Sequence, residues 1–404
     1  RTGSAAQIAS MKKRVAILGF GLEGQALLSY LKKDKRLELT ILDQKKDKNY
    51  LKNLSRYDLI FRSPGVPYNL PELRPVRKKL SSLTKLFFEK AKGTIIGVTG
   101  SAGKTTTATL LYKILKNSGR PVYLAGNIGK NPLAILPKLR KNSIIIFELS
   151  SFQLQDLKRS PAIAVILDIY EEHLDKHKSF KEYLGAKRNI TRFQKKSDVV
   201  IYAEDNKFSK RLAKLSPAKK IPFSLPAGKK VQDKNVMAAA LAARLLGVRE
   251  NIIQKTIDSF RGLPHRLEFV REFGGVKFYD NSKATNVGSA VAGIEALDGK
   301  KVVLVGGYNK NLNLRPLVKR LAKPDVRRAI LFGAARKELR KIAESMGFSR
   351  FSLAPKLSRA VELAARHARP GEAVILSPAA ASFDEFKNYE ERGRRFKELV
   401  RRLR

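Results

Sequence analysis

Lys104 and Thr105 follow directly on a glycine turn, Gly100-Ser101-Ala102-Gly103, which is itself fed by the apolar run Thr94-Ile95-Ile96-Gly97-Val98. Glycines that let backbone N–H groups point inward, a lysine ammonium and a hydroxyl able to ligate Mg²⁺ are the parts of a cradle for a nucleoside triphosphate. The pattern is the narrower T-G-x-x-G-K-T form. The commoner G-x-x-x-x-G-K-[ST] asks for glycine where Val98 stands, and Gly97 is one place early. The plain alternative is an ordinary glycine turn capping a buried helix. Glu148 closes a second apolar run, SIIIFE, and an acid at a strand end facing a phosphate loop is a usual second arm of a Mg²⁺ site. As a cap of the turn that follows, it would be structural only. His173, Asp175 and His177 could share a helix face and superficially suggest zinc, yet Leu174 after His173 breaks H-E-x-x-H. Taken alone, His173 reads as an ordinary surface or core histidine and Lys187 as a solvated helix lysine.

Strands and helices in alternation must position these groups, which makes the chain α/β. The run RVAIL leads into Gly19-Phe20-Gly21-Leu22-Glu23-Gly24 and an amphipathic helix, and the next strand, LELTILD, ends at Asp43. This is dinucleotide-binding spacing; its secure content is a turn able to accept a diphosphate, and a nucleotide-sugar suits it as well as NAD. A third strand, YDLIF, ends in the rigid turn Arg62-Ser63-Pro64-Gly65-Val66-Pro67, at the strand end where open α/β sheets bind ligands. The phosphate loop, VYLAGNIG with Asn127, and FELSSFQL make a central region. There a linker-like PFSLPAGKKVQDKN leads into the helical NVMAAALAARLLG. After Leu263-Pro264-His265-Arg266 come a probable hairpin, EFVREFGGVKFYD, the strands KVVLVGG, RAILFG and AVILS, and a long basic helix from about Glu385.

With 404 residues and 43% hydrophobic content the chain holds two to three globular domains. It contains no cysteine, which removes disulfides, thiolate metal sites and a cysteine nucleophile, and which fits a reducing cytoplasm. The opening RTGSAAQIAS has no apolar core and reads as a tail or leftover leader. No apolar run approaches the ~20 residues that span a bilayer. Lys and Arg number 82 against 36 Asp and Glu, a formal charge of +46. The cations are spread along the whole chain with no zinc-finger, RRM or KH signature, so they imply weak, salt-sensitive attraction to polyanions and faster encounter with anionic small molecules.

Taken together, TGSAGKTT, GNIG, FELSSFQL, HLDKH, GAK, LPHR, NSKATN, GGYNK and SPAAASFDEFKNYEERG resemble the Mur ligase family in type and order, over nearly the whole chain after Met11. The likeness is to its D-glutamate-adding branch. It implies three domains: a Rossmann-like one over 12–92, a P-loop ATPase-like parallel sheet over 93–262 and a second Rossmann-like one over 263–404, with 1–11 a disordered leader or tail. It also implies a reaction of peptidoglycan synthesis. ATP phosphorylates the terminal carboxylate of UDP-N-acetylmuramoyl-L-alanine, and the D-glutamate amine attacks the acyl phosphate.

By that resemblance Lys104, Glu148, His173, Lys187 and Arg266 are catalytic. ATP lies against Gly100, Ser101, Ala102, Gly103, Lys104, Thr105, Thr106, Asn235, Arg266 and Asn281. Thr105 and Glu148 hold one Mg²⁺; His173 holds a second, together with Lys187 carbamylated by CO₂, which reverses the plain reading of both residues. The UDP moiety meets Gly21, Leu22, Glu23, Gly24, Asp43, Ser63 and Asn127, while D-glutamate meets His265, Thr285, Lys310, Ser382, Phe383 and Tyr389. The implied protein is a cytoplasmic monomer acting on small molecules, without specific nucleic acid or membrane insertion.

Several positions depart from the family pattern. Ala102 replaces an Asn of the phosphate loop, Glu172 stands first in D-H-L-D-R-H, and H-N-x-x-N becomes Lys234-Asn235-Val236-Met237-Ala238. D-S-K-A-T-N becomes Asn281-Ser282-Lys283-Ala284-Thr285-Asn286, and hairpins between Phe223 and Gly228 are absent, as in a short member. Two readings stay open: an active enzyme with altered ATP contacts, or a catalytically impaired relative. A Mur-type ligase for another amino acid is a nearby alternative, and a basic P-loop ATPase driven by nucleic acid a distant one.

Overall fold

Strands whose residues are apolar at every position, such as Ile144-Ile145-Ile146-Phe147, bury both faces, as parallel sheets flanked by helices require. A computed structural model of the chain describes residues 12–129, 131–171, 177–225, 231–310 and 312–404, without the side chains of 231 and 232. His173, Glu172 and the expected leader lie outside the described residues. The chain divides into two compact units: Phe260–Arg404 together with Val231 and Gln232 make the second, and the described residues before them, through Asp233–Ser259, make the first.

The first unit carries two all-parallel sheets. β1 (Lys13–Leu18), β2 (Leu37–Leu42), β3 (Leu59–Arg62) and β4 (Leu80–Ser81) form one in the order β2-β1-β3-β4. The other contains β5 (Thr94–Thr99), β6 (Val122–Gly126), β7 (Ile144–Glu148), β8 (Ile163–Ile166), β9 (Val199–Ala203) and β10 (Lys219–Phe223). Its order is β10-β9-β8-β5-β7-β6, which places the strand of the phosphate loop between β8 and β7. β10 is an edge strand and carries Lys219, Lys220 and Pro222. The helix Leu83–Lys90 ties the two sheets together. Its Leu83 and Leu86 enter the core of the first sheet, and Phe87 and Phe88 enter that of the second, where their rings lie 5.2 and 5.5 Å from Phe147. One amphipathic element serving two cores makes a single unit of them.

The second unit is a six-stranded sheet, β11-β12-β16-β13-β14-β15. The expected hairpin is β11 (Glu268–Phe273) and β12 (Val276–Asp280), paired antiparallel at the sheet's edge; β13 (Lys301–Gly306), β14 (Val326–Phe332), β15 (Phe351–Ala354) and β16 (Ala373–Ala379) are parallel.

Two boundaries differ from the sequence expectation. The stretch Val231-Gln232-Asp233-Lys234-Asn235 is not linker: the helix begins at Val231, with Asp233 in its first turn, where an acid suits the helix dipole. The basic C-terminal helix starts at Tyr389, not near Glu385, because Asn388 caps it by accepting from Glu391 N at 2.8 Å. Among the described residues no helix is long and apolar enough to cross a membrane.

Candidate active site

The turn after β5 is built to leave its backbone open. Gly103 has φ 79°, and a Cβ there would collide with the Asn235 carboxamide, which packs on the loop from the helix Val231–Leu245. Ser101 turns inward and braces the loop. Its N–H donates to Asp168 O at 2.7 Å, and its hydroxyl meets Tyr170 N at 2.9 Å and Tyr183 OH at 2.8 Å. Lys104 opens the helix Lys104–Asn117 and folds back to donate to the carbonyls of Gly100 (2.8 Å) and Ser101 (3.0 Å). Thr105 and Thr106 follow it, half-buried.

Lys187 corrects the plain reading of a solvated lysine. It is 1% exposed on the helix Phe180–Arg188, and its Nζ donates to Gly100 O at 2.9 Å and Thr99 Oγ1 at 3.3 Å, 4.8 Å from the Tyr183 ring centre. Glu148 ends β7 opposite Val98 of β5 and is 1% exposed. Asn127 donates to its Oε1 at 3.1 Å, while its Oε2 has no hydrogen-bond partner among the described residues. A buried carboxylate oxygen left open beside a phosphate loop suits a hard, oxygen-seeking cation. His177 is structural: buried, stacked on Phe152 at 5.0 Å, with Nε2 3.0 Å from Ser151 Oγ.

At the first sheet Asp43 and Ser63 build the glycine turn. Asp43 accepts from Phe20 N (2.6 Å) and Lys45 N (2.9 Å), which holds its carboxyl below the usual range, and Ser63 Oγ donates to Gly19 O at 2.7 Å. Leu22 and Glu23 line a cleft of about 510 Å³ together with Asn127 and Gly129. Three residues assigned to the UDP moiety thus meet there. Glu23 Oε1 accepts from Gln153 Nε2 at 3.0 Å, its Oε2 is buried without a partner, and burial pushes the carboxyl up despite that hydrogen bond and the charge of Arg62. Gln153 also closes a capping box with Ser150 in FELSSFQL, so one amide joins the two motifs.

In the second unit His265 sits at φ 62° in a tight turn closed by Arg266 N→Leu263 O. Its N–H donates to Glu268 (2.9 Å), its carbonyl accepts from Lys283 N (3.0 Å), and Nδ1 lies 2.7 Å from Asp280 Oδ2. His265, Glu268 and Asp280 are close enough to share a metal, but Lys397 already holds Glu268 at 2.9 Å and Asp280 holds the histidine ring at 2.7 Å, so they form a hydrogen-bonded network anchored by the Lys397–Glu268 ion pair. Lys310 lies 4.6 Å over the Phe383 ring, which is 59% exposed, and Lys283 lies 3.7 Å over Tyr389. Ser382 is buried, and Thr285 is half-buried in the loop that precedes the helix Val287–Glu295. Asn281 turns inward, donating to Ser377 Oγ at 3.1 Å. Sequence reasoning missed Asp280, whose only signal is its place before Asn281, and Arg392, which stitches Ser282 to Ala380 and Ala381 from the C-terminal helix. Lys234 was noticed only as a departure.

Comparison with known proteins bears on both units. The Mur ligase middle domain matches residues 98–259, and the Mur ligase, glutamate ligase domain matches residues 265–380. The UDP-N-acetylmuramoylalanine--D-glutamate ligase of Acetivibrio thermocellus is 35% identical over 96% of this chain and 96% of its own length. That of Symbiobacterium thermophilum is 33% identical over 97% and 99%. The first alignment runs over 448 positions, more than the 404 residues of this chain, so it opens gaps in this chain. Among solved structures, the MurF ligase of Thermotoga maritima in complex with ADP has a TM-score of 0.61 at 18% identity, covering 98% of this chain and 97% of that one. E. coli FolC in complex with ADP has 0.59 at 16%, covering 79% and 93%. At such identities the likeness is one of fold.

Proposed function

This chain belongs to the Mur ligase family, and from that premise we propose how its residues serve the ATP-dependent joining of D-glutamate to UDP-N-acetylmuramoyl-L-alanine. The observation that carries the reading is the convergence of two lysines, Lys104 and Lys187, on the carbonyl of Gly100, next to the strand that ends in buried, half-satisfied Glu148. Two anionic reactants and a triphosphate must approach one another, and Lys104, with Mg²⁺, would offset the charge that develops on the transferred phosphoryl group.

In this reading Lys104 exchanges its bonds to the loop carbonyls for the triphosphate. Thr105 and Glu148 would hold Mg²⁺, with His173 and Lys187 around a second ion, and the metal would supply positive charge against the phosphoryl oxygens. Addition of CO₂ to the Lys187 amine would form one N–C bond, release one proton and leave a carboxylate in its place; the buried position of Lys187 beside Thr99 and Gly100 of the loop supports this role. Leu22 and Glu23, next to the turn set by Asp43 and Ser63, and Asn127, after β6, face the UDP-sugar in the cleft. In the second unit Lys310 and Ser382 receive the D-glutamate side-chain carboxylate between Phe383, Thr285 and Tyr389, and the strapped turn at His265 presents Arg266.

Phosphate release by purified protein with UDP-N-acetylmuramoyl-L-alanine, ATP and Mg²⁺, across a panel of amino acids and with or without bicarbonate, tests this. Release with D-glutamate alone, raised by bicarbonate, is expected. Release with another amino acid overturns the assignment of the pocket, and no release at saturating ATP overturns the activity in favour of an impaired relative.

A further inference from the structure

Lys234 stands where the family pattern has histidine, and the structure gives it a definite task. It is 7% exposed, and its ammonium donates to Asp168 Oδ1 at 2.6 Å and to Asp205 Oδ1 at 2.5 Å. Asp168 follows β8 and Asp205 follows β9, so one side chain ties two strand ends to the helix Val231–Leu245. The tie to Asp168 and the helix itself lead to the phosphate loop. Asp168 accepts from Ser101 N through its main-chain oxygen, and its other carboxylate oxygen takes the Tyr170 hydroxyl at 2.9 Å. The residue after Lys234 is Asn235, whose side-chain oxygen packs on Gly103 and lies 3.5 Å from Thr107 Oγ1.

A neutral imidazole offers one N–H donor, whereas an ammonium offers three and a full charge at neutral pH. Without that charge, the Asp168 carboxylate would stand beside a loop that must take up a triphosphate, with the more exposed Asp205 carboxylate, which shares the same ammonium, adding to its negative charge. We propose that Lys234 is a positioning residue for the nucleotide: it holds Asn235 against the phosphate loop and cancels the repulsion of Asp168 and Asp205 toward the triphosphate. The substitution thus belongs to a rebuilt nucleotide site. This rests on reading Gly100–Thr106 as the triphosphate cradle.

Calorimetric binding of MgADP and MgATP to the full chain tests it, with circular dichroism as the check on folding. Lys234→Met should weaken nucleotide binding roughly tenfold, the effect of one partly screened unit charge, and leave affinity for the UDP-sugar substrate within about twofold. Lys234→Arg, which keeps the charge, should lose much less. The triple variant Lys234→Met/Asp168→Asn/Asp205→Asn should regain most of the loss, which a merely structural role would not produce. A Lys234→Met protein that binds nucleotide like the parent, or a triple variant no better than Lys234→Met, overturns the proposal. A parent chain that binds no nucleotide overturns the cradle reading as well, and so separates the two failures.

Discussion

Glu148 and Lys104 illustrate different degrees of local encoding. Replacing Glu148 by Gln keeps the hydrogen bond from Asn127 on an isosteric oxygen but removes the charge a divalent cation requires. Glu148→Gln should therefore lower phosphate release by about a hundredfold or more, in line with the loss of a group that stabilises developing charge, while melting stays within a few degrees; steady-state kinetics and calorimetry check both. Lys104 and its loop were legible because motif, turn and helix start lie within a dozen residues. Lys187 was not legible from its own surroundings, since its burial depends on Thr99 and Gly100 far away in the chain; the family resemblance supplied it. Asp280 escaped notice because its meaning depends on where the ring of His265 comes to rest.

At the level of elements, buried charges join loops that the sequence presents separately. Arg392 is fully buried, burial pulls its guanidinium down to about 10, and four hydrogen bonds connect it to Ser282, Ala380 and Ala381. Arg392→Met should cost about 3–5 kcal/mol by leaving those acceptors unpaired in the interior, measurable by urea denaturation. Glu23 gives the opposite sign. Its folded form favours the proton, so stability from this group is full below the usual value of 4.5 and declines as pH rises through the raised one. Glu23→Gln should accordingly raise the melting temperature more near pH 7 than near pH 4; an equal rise at both would refute that account. Strands and glycine turns were readable from period and spacing, as the hairpin β11–β12 demonstrates. The helix start at Val231 was hidden by a polar stretch in which Lys234 finds its partners, Asp168 and Asp205, in other loops.

For the whole molecule the dominant quantity is the charge of +46. Cations distributed over the chain raise the local concentration of anionic substrates, an effect that salt screens over ~10 Å at 0.1 M. Turnover per unit of ATP and UDP-sugar, read as kcat/KM, should thus fall several-fold between about 50 and 500 mM KCl, with kcat nearly constant. Nothing in the pattern of the sequence localises this charge, which is why it yields an encounter rate and no specific polyanion. The edge strand β10 carries a different consequence. An exposed strand edge is a template on which a second chain can polymerise, and here Pro222 withholds an amide while Lys219 and Lys220 present like charges to any incoming copy. The outer edge of the six-stranded sheet of the first unit is therefore guarded against edge-to-edge aggregation by a proline and two lysines.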